Sequence, residues 1–273
     1  MSGQFEMDRL LEPTPDPAWV LATEGYDPLR EGVYEARFAI CNGFLGVRGG
    51  RAVSRGERWG EPLRTYIAGL FDVPGPEHPV PELVAAPGWL QFRIAPDGAP
   101  LIRHPAEVTS HRTTLDMRRG ALLTGARLTD HKGLVAHART LRLVSLSERA
   151  IGLHVVEVEI EQGEVEVTLE ASFEGMGFGL TSERLERDLS VWRTKFTDKR
   201  LAMAATSSLQ INGSDLAPTM PAPFTWAWHW NTRPGQVVCV SRLVAMTRDD
   251  DIQDSDPGRV AREKLGAARQ LGW

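Results

Sequence analysis

The sequence offers four sets of side chains on which chemistry could be built. Trp226, Trp228 and Trp230 recur at period 2 and so share one face of a strand, with Ala227 and His229 on the other. Flat indoles displayed to water would stack on sugar rings, whereas a dry row would be sandwich core or would pack against another domain; the dry row is the preferred reading. Arg48 and Arg51 bracket two glycines, and from there could reach the substrate pocket of a neighbouring domain, although arginines at a hairpin end more commonly hold structure. These five residues are the substrate-binding candidates.

Carboxylates form the third set. Glu157, Glu159 and Glu161 alternate with Val156, Val158 and Ile160, and after Gln162-Gly163 the residues Glu164, Glu166 and Glu170 alternate with Val165, Val167 and Leu169. Glycoside cleavage and calcium binding both use carboxylates, but an every-second-residue row is the solvated face of a strand, and a calcium loop needs oxygen ligands on irregular backbone. The fourth set is the histidines, His78, His104, His111, His131, His137, His154 and His229. A mutarotase-like reaction needs an acid and a base, typically glutamate with histidines. The seven are scattered without such spacing; His137 and His154 fall on expected strands. Neither a Gly-x-Ser-x-Gly elbow nor a glycine-rich loop leading into a helix occurs, so nucleophile and nucleotide readings find no support. No catalytic residue and no metal ligand is assigned.

The elements that must position these side chains are almost all strands. From Tyr34 to Ile40 apolar even positions alternate with charged Glu35 and Arg37, which predicts a strand, and Asn42-Gly43 predicts a type I′ turn before Leu45 and Val47 resume the buried face. Further strands are expected near 64–71, 89–95, 107–116, 121–129, 135–145, 149–161, 164–174, 188–197, 200–211, 224–231 and 236–247. Residues 1–33, with Pro13, Pro15, Pro17 and Pro28, read as an extended lead-in docked through Trp19, Val20 and Leu21. The sandwich domain is expected over 34–254. Asp256-Pro257 then announces a C-terminal helix running toward Leu271 within 255–273, as aspartate cap and proline in the first turn. Many strands without helical crossovers predict an all-β fold of two packed antiparallel sheets.

Composition sets the outer bounds. A chain of 273 residues can hold one large all-β domain, and its 31 basic against 36 acidic residues, net charge −5, with no basic stretch interleaved with aromatics, gives no sign of a nucleic-acid partner. Cys41 and Cys239 stand far apart without neighbouring ligands and read as two buried thiols, neither zinc site nor disulfide. Met1 to Pro17 lacks a signal-peptide pattern and no stretch approaches a membrane span, so a soluble cytoplasmic protein is expected.

The segment Glu35-Ala-Arg-Phe-Ala-Ile-Cys-Asn-Gly-Phe-Leu-Gly-Val-Arg-Gly49 resembles the signature of the N-terminal domain of glycoside hydrolase family 65, the family of maltose, trehalose, kojibiose and nigerose phosphorylases and related hydrolases. Thr65-Tyr-Ile-Ala-Gly-Leu-Phe-Asp72, Glu82-Leu-Val84, Pro87-Gly-Trp-Leu90 and Leu115-Asp-Met-Arg-Arg-Gly-Ala-Leu-Leu123 agree in the same order. Departures are Cys41, where the family usually has glycine, and Gly88, where it usually has asparagine. The resemblance implies a large antiparallel super-sandwich similar to that of galactose mutarotase. It also implies that the acid glutamate and the phosphate-binding residues belong to an (α/α)6 barrel following the sandwich, for which 255–273 would begin the linker. No cofactor is implied; inorganic phosphate would be a co-substrate only in a full-length phosphorylase. The implied partners are the barrel, a second copy of the chain in a homodimer, and an α-linked disaccharide. A stand-alone carbohydrate-binding module is the alternative, and a mutarotase-like epimerase a more distant one. With no barrel after it, the C-terminal helix would leave Leu265, Leu271 and Trp273 to fold back onto the sandwich or to meet another copy of the chain, and concentration-dependent self-association that weakens on deletion of residues 258–273 is expected.

Overall fold

The computed structural model describes residues 9–25, 27–50, 64–73, 75, 77, 79–102, 105–130, 132–173, 179–251 and 256–271. The strands are β1 (Val20–Glu24), β2 (Ile40–Cys41), β3 (Leu45–Val47), β4 (Thr65–Asp72), β5 (Glu82–Ala86), β6 (Arg93–Pro96), β7 (Val108–Asp116), β8 (Ala121–Thr129) and β9 (Val135–Val144). They continue as β10 (Ile151–Gln162), β11 (Glu166–Ala171), β12 (Leu180–Leu185), β13 (Leu189–Thr194), β14 (Arg200–Ile211), β15 (Ser214–Leu216), β16 (Trp226–Asn231) and β17 (Val237–Arg248). The helices α1 (Glu31–Arg37) and α2 (Pro257–Gln270) accompany them, and residues 9–11 are helical as well, within the stretch expected as an extended lead-in.

One large antiparallel sheet runs β1-β7-β8-β9-β10-β17-β14-β13-β12, with β15 paired to β14. The opposing layer is split into a three-stranded sheet, β16-β11-β6, and a four-stranded sheet, β2-β3-β4-β5. The expected all-β antiparallel sandwich is therefore present, with its second layer in two pieces. Both smaller sheets bury their apolar side chains against the same face of the large sheet: Leu45, Ile67 and Leu70 from one and Ile94, Leu169 and Trp228 from the other meet Val156, Met203 and Val244. Trp89 lies so close over β10 that a side chain at Gly152 would come within 2.7 Å of its ring. Only glycine fits there.

The opposite face of the large sheet is covered as well. Ala261 and Leu265 of α2, with Leu11 near the N-terminus, bury Leu153, Val155, Val191, Leu243 and Ala245. This explains why β10 is buried from Ile151 through Val158, on both faces rather than one. Asp256 caps α2 by accepting a hydrogen bond from the Gly258 amide at 2.9 Å, with Pro257 in the first turn, as the sequence predicts. Ion pairs hold the helix down: Arg262 to Glu186 at 2.6 Å and to Asp188, and Arg184 to Asp256 at 3.1 Å. The C-terminal helix thus folds back, although Leu271 stays exposed. No described helix is long and apolar enough to cross a membrane.

Several local expectations are corrected. Residues 31–37 form helix α1 rather than a strand, and strand structure starts only at Ile40. Tyr34 and Phe38 are four apart, and the Phe38 amide donates to the Tyr34 carbonyl at 2.9 Å, so the same residues satisfy a helical period over this short stretch. In the β2–β3 turn Gly43 takes φ +84° while Asn42 keeps a negative φ. The two central residues are Gly43 and Phe44, which puts glycine where a type II′ turn needs it. The Asn42 carboxamide instead caps the turn, accepting from the amides of Phe44 at 3.0 Å and Leu45 at 2.8 Å. Strand β1 lies within the stretch expected as an extended lead-in, and β5, β12 and β15 add to the expected set.

Candidate functional site

Arg48 follows β3 and turns back toward α1: its guanidinium donates to the Gly32 carbonyl at 3.3 Å and lies 3.6 Å from the Glu35 carboxylate. The neighbouring Gly49 amide donates to the Glu35 carbonyl at 2.8 Å, and a side chain at Gly49 would come within 2.3 Å of the Phe38 carbonyl oxygen. Arg48 therefore ties the hairpin to α1. Arg51 lies outside the described residues.

The tryptophan row faces inward. Trp226, Trp228 and Trp230 stand opposite Ala171, Leu169 and Val167 of β11; the first two are buried and the third is half-buried. The Trp228 indole N–H donates to the Leu216 carbonyl at 2.9 Å, and Trp226 packs on the Phe173 and Phe224 rings. Such a row offers no flat platform to a sugar; it fills the space between the layers. Trp230 borders an apolar gap with Val158, Val167 and Val240. On the outward face His229 meets the Thr168 hydroxyl at 3.0 Å.

His154 stands between Arg142 and Arg242 on the neighbouring strands, all three almost completely buried in the interior. Burial first, then the charges of Arg142 and Arg242, push the imidazole well below its usual pKa, so it is neutral. Its ring stacks on Phe92 with centroids 5.0 Å apart. Arg242 is a hub: one terminal nitrogen donates to the carbonyls of Trp89 at 2.7 Å, Ser172 at 3.0 Å and Gln91 at 3.2 Å, while its guanidinium lies over the Phe92 and Phe173 rings. This trio joins the layers and is sealed from any substrate.

The acidic row is also more structural than its spacing suggests. Glu157 is buried and bonded to Arg139, directly opposite on β9, and Glu161 pairs with Arg127 at 2.7 Å. Cys41 is exposed, contrary to expectation, and Cys239 is largely buried, its thiol pushed up to about 12 by burial and then by Glu157.

A cleft that the sequence did not announce opens between α1 and the β1–β7–β8 end of the large sheet. Thr23, Thr113 and Thr124 are direct cross-strand neighbours and form its floor, and the Thr124 hydroxyl is bonded to that of Thr140. Asp27, Glu31 and Tyr34 line it from the α1 side, His111 from β7, and Gly49 and Gly50 from the end of the hairpin. Because the floor depends on the pairing of β1 with β7, 88 to 96 positions apart, no local pattern marks it. The available signal lay in helix propensity at Glu31, Glu35, Ala36 and Arg37, which would have turned Tyr34 and Glu31 to one side.

The model of the glycosyl hydrolase family 65 N-terminal domain matches residues 21–273. A kojibiose phosphorylase of Caldanaerobacter subterraneus subsp. tengcongensis is 33% identical over 135 residues, 49% of this chain and 17% of that protein. An uncharacterized glycosyl hydrolase of Mycobacterium tuberculosis is 30% identical over 239 residues, 84% of this chain and 17% of that protein. The chain thus spans less than a fifth of the length of these relatives. Among solved structures, a kojibiose phosphorylase-like protein from the human microbiome superposes with a TM-score of 0.75 at 14% identity, over 97% of this chain and 37% of that one, a likeness of fold.

Proposed function

Since the chain belongs to the glycosyl hydrolase family 65 N-terminal domain family, we propose that it is the non-catalytic β-sandwich of a phosphorylase- or hydrolase-type protein acting on α-linked disaccharides. In this reading it supports an (α/α)6 catalytic barrel and shares in contacts between copies, and turnover and phosphate binding are properties of the barrel. The observation that carries the reading is the family match over residues 21–273, which takes in the entire sandwich and α2. The geometry supports it, because the side chains that could have acted hold structure instead: Trp226 and Trp228 are core, Arg48 is a clamp, and His154 is a sealed neutral imidazole. A carbohydrate-binding module built on the tryptophan row is disfavoured by its burial.

The chain incubated with maltose, trehalose, kojibiose or nigerose, with and without phosphate, is expected to release neither glucose nor glucose 1-phosphate. Enzyme-dependent release above a boiled control would overturn the proposal.

A further inference from the structure

We infer that the free edge of β1 is a contact surface for a second copy of this chain, paired antiparallel about Ala22 so that the two large sheets continue into one another. The backbone of β1 carries the argument. The Met117 amide donates to the Trp19 carbonyl at 2.9 Å and the Gly25 amide to the His111 carbonyl at 2.8 Å, so the odd-numbered residues of this stretch are the ones that bond to β7. The N–H and C=O groups of Val20, Ala22 and Glu24 therefore point away from the sheet. The Val20 amide turns back to the Pro17 carbonyl; among the described residues nothing meets the Val20 carbonyl or the backbone groups of Ala22 and Glu24. Ala22 and Glu24 are exposed.

The two edges of the large sheet differ in how they are guarded. Strand β12, at the far edge, is interrupted by a bulge at Glu183, and Glu183 and Arg184 are held in ion pairs with Arg200 and Asp256. Charge and irregularity of this kind keep an edge from pairing. Strand β1 has no bulge, proline or lysine, and its single charge, Glu24, is paired with Arg112 on β7. Exposed apolar surface from Trp19, Leu21 and Met117 adjoins it. The segment is also its own complement. About a twofold axis at Ala22, the outward groups of Ala22 meet those of Ala22 in the copy, and the Glu24 amide meets the Val20 carbonyl. In that register Leu21 stands across from Thr23 of the copy, Trp19 reaches the open space beside its Gly25, and each Glu24 faces a valine, so no like charges are opposed. A ladder this short is a small contact, so the pair is reversible and forms at about 10 to 100 μM chain. The inference names the surface behind the contacts between copies in the scaffold reading and rests on that reading only there; its failure would leave the absence of turnover to its own assay.

Sedimentation velocity of the whole chain from about 1 to 300 μM tests the assignment, with reversible dimer formation expected across that range. Ala22→Pro removes an amide that β7 does not use, at an edge position where proline is tolerated, and Leu21→Lys places a charge on the edge. Each is expected to raise the dimer dissociation constant about tenfold or more with circular dichroism unchanged, whereas Leu185→Lys on β12 leaves it where it was. A chain that is monomeric at every concentration would sink the proposal. So would dimerisation that both β1 variants retain at full strength, or an equal loss in Leu185→Lys.

Discussion

At the scale of single residues, the interior trio of Arg142, His154 and Arg242 sets a pH dependence. His154 titrates normally, near 6.5, in the unfolded chain and well below that in the folded one, so below about pH 6.5 the unfolded state binds the extra proton. Stability is therefore full above that value and falls as the pH drops through the window down to the folded-state pKa, with a slope approaching about 1.4 kcal/mol per pH unit. His154→Phe, which keeps a ring to stack on Phe92, is expected to flatten this acid loss; urea unfolding of both chains at pH 7.5 and pH 5 measures it. Equal acid loss in the two would assign the dependence to other groups. The sequence marks His154 as a strand residue, and so it is. Its neighbours could not be read, because Arg142 and Arg242 lie 12 and 88 positions away and only strand register brings them beside it. The misread stretch from Tyr34 to Ile40 has the opposite cause: the pattern is local, but seven residues fit period 2 and period 3.6 about equally, and only the contact of Tyr34 with Phe38 decides.

At the scale of elements, α2 behaves as part of the domain. It buries Leu153, Leu243 and Ala245, so Leu265, expected to be available for contact with another copy of the chain, packs within the domain, while Leu271 stays exposed. Deleting residues 257–271 should uncover that apolar face and increase association, which light scattering on the intact and shortened chains would report. Leu265→Ala, at the centre of the contact and 6% exposed, is expected to cost about 2 to 3 kcal/mol in urea unfolding. A shortened chain that remains monomeric and as stable as the intact one would refute this role. The helix itself was legible down to its aspartate cap, since capping is a local matter of Asp256, Pro257 and one backbone amide. Which surface it covers was not, since its ion-pair partners Glu186 and Asp188 sit on a turn more than seventy residues earlier.

At the scale of the whole molecule, the scaffold reading requires a face for the barrel, and the tips of two hairpins offer one. Phe71 and Leu83 are exposed cross-strand neighbours, with Val80 exposed on the same hairpin. The β13–β14 turn bearing exposed Phe196 is bound beneath them by Asp72, which accepts from the amides of Lys195, Phe196 and Thr197 at 2.8 to 3.1 Å. Burial raises the Asp72 pKa, and hydrogen bonds from the Thr197, Phe196 and Val73 amides and the Thr197 hydroxyl lower it by more, leaving it below the usual range. Phe71→Asp with Leu83→Asp should abolish association with the separately expressed barrel of a family 65 kojibiose phosphorylase while leaving thermal stability unchanged; gel filtration of the mixtures reads the outcome, and undiminished association would place the interface elsewhere. Most strands of this architecture were legible from alternation, whereas the division of the second layer into two sheets was not, because layer membership is decided by long-range pairing. One such pairing constrains how the molecule is made. Strand β17, made after every other described strand, lies inside the large sheet, between β10 and β14. During synthesis the five described strands on one side of it (β1 and β7–β10) and the four on the other (β12–β15) must wait as two half-sheets with bare inner edges until residue 248 has cleared the ribosome, so the large sheet depends on a strand made after both its halves, and on whatever shields those edges until it arrives.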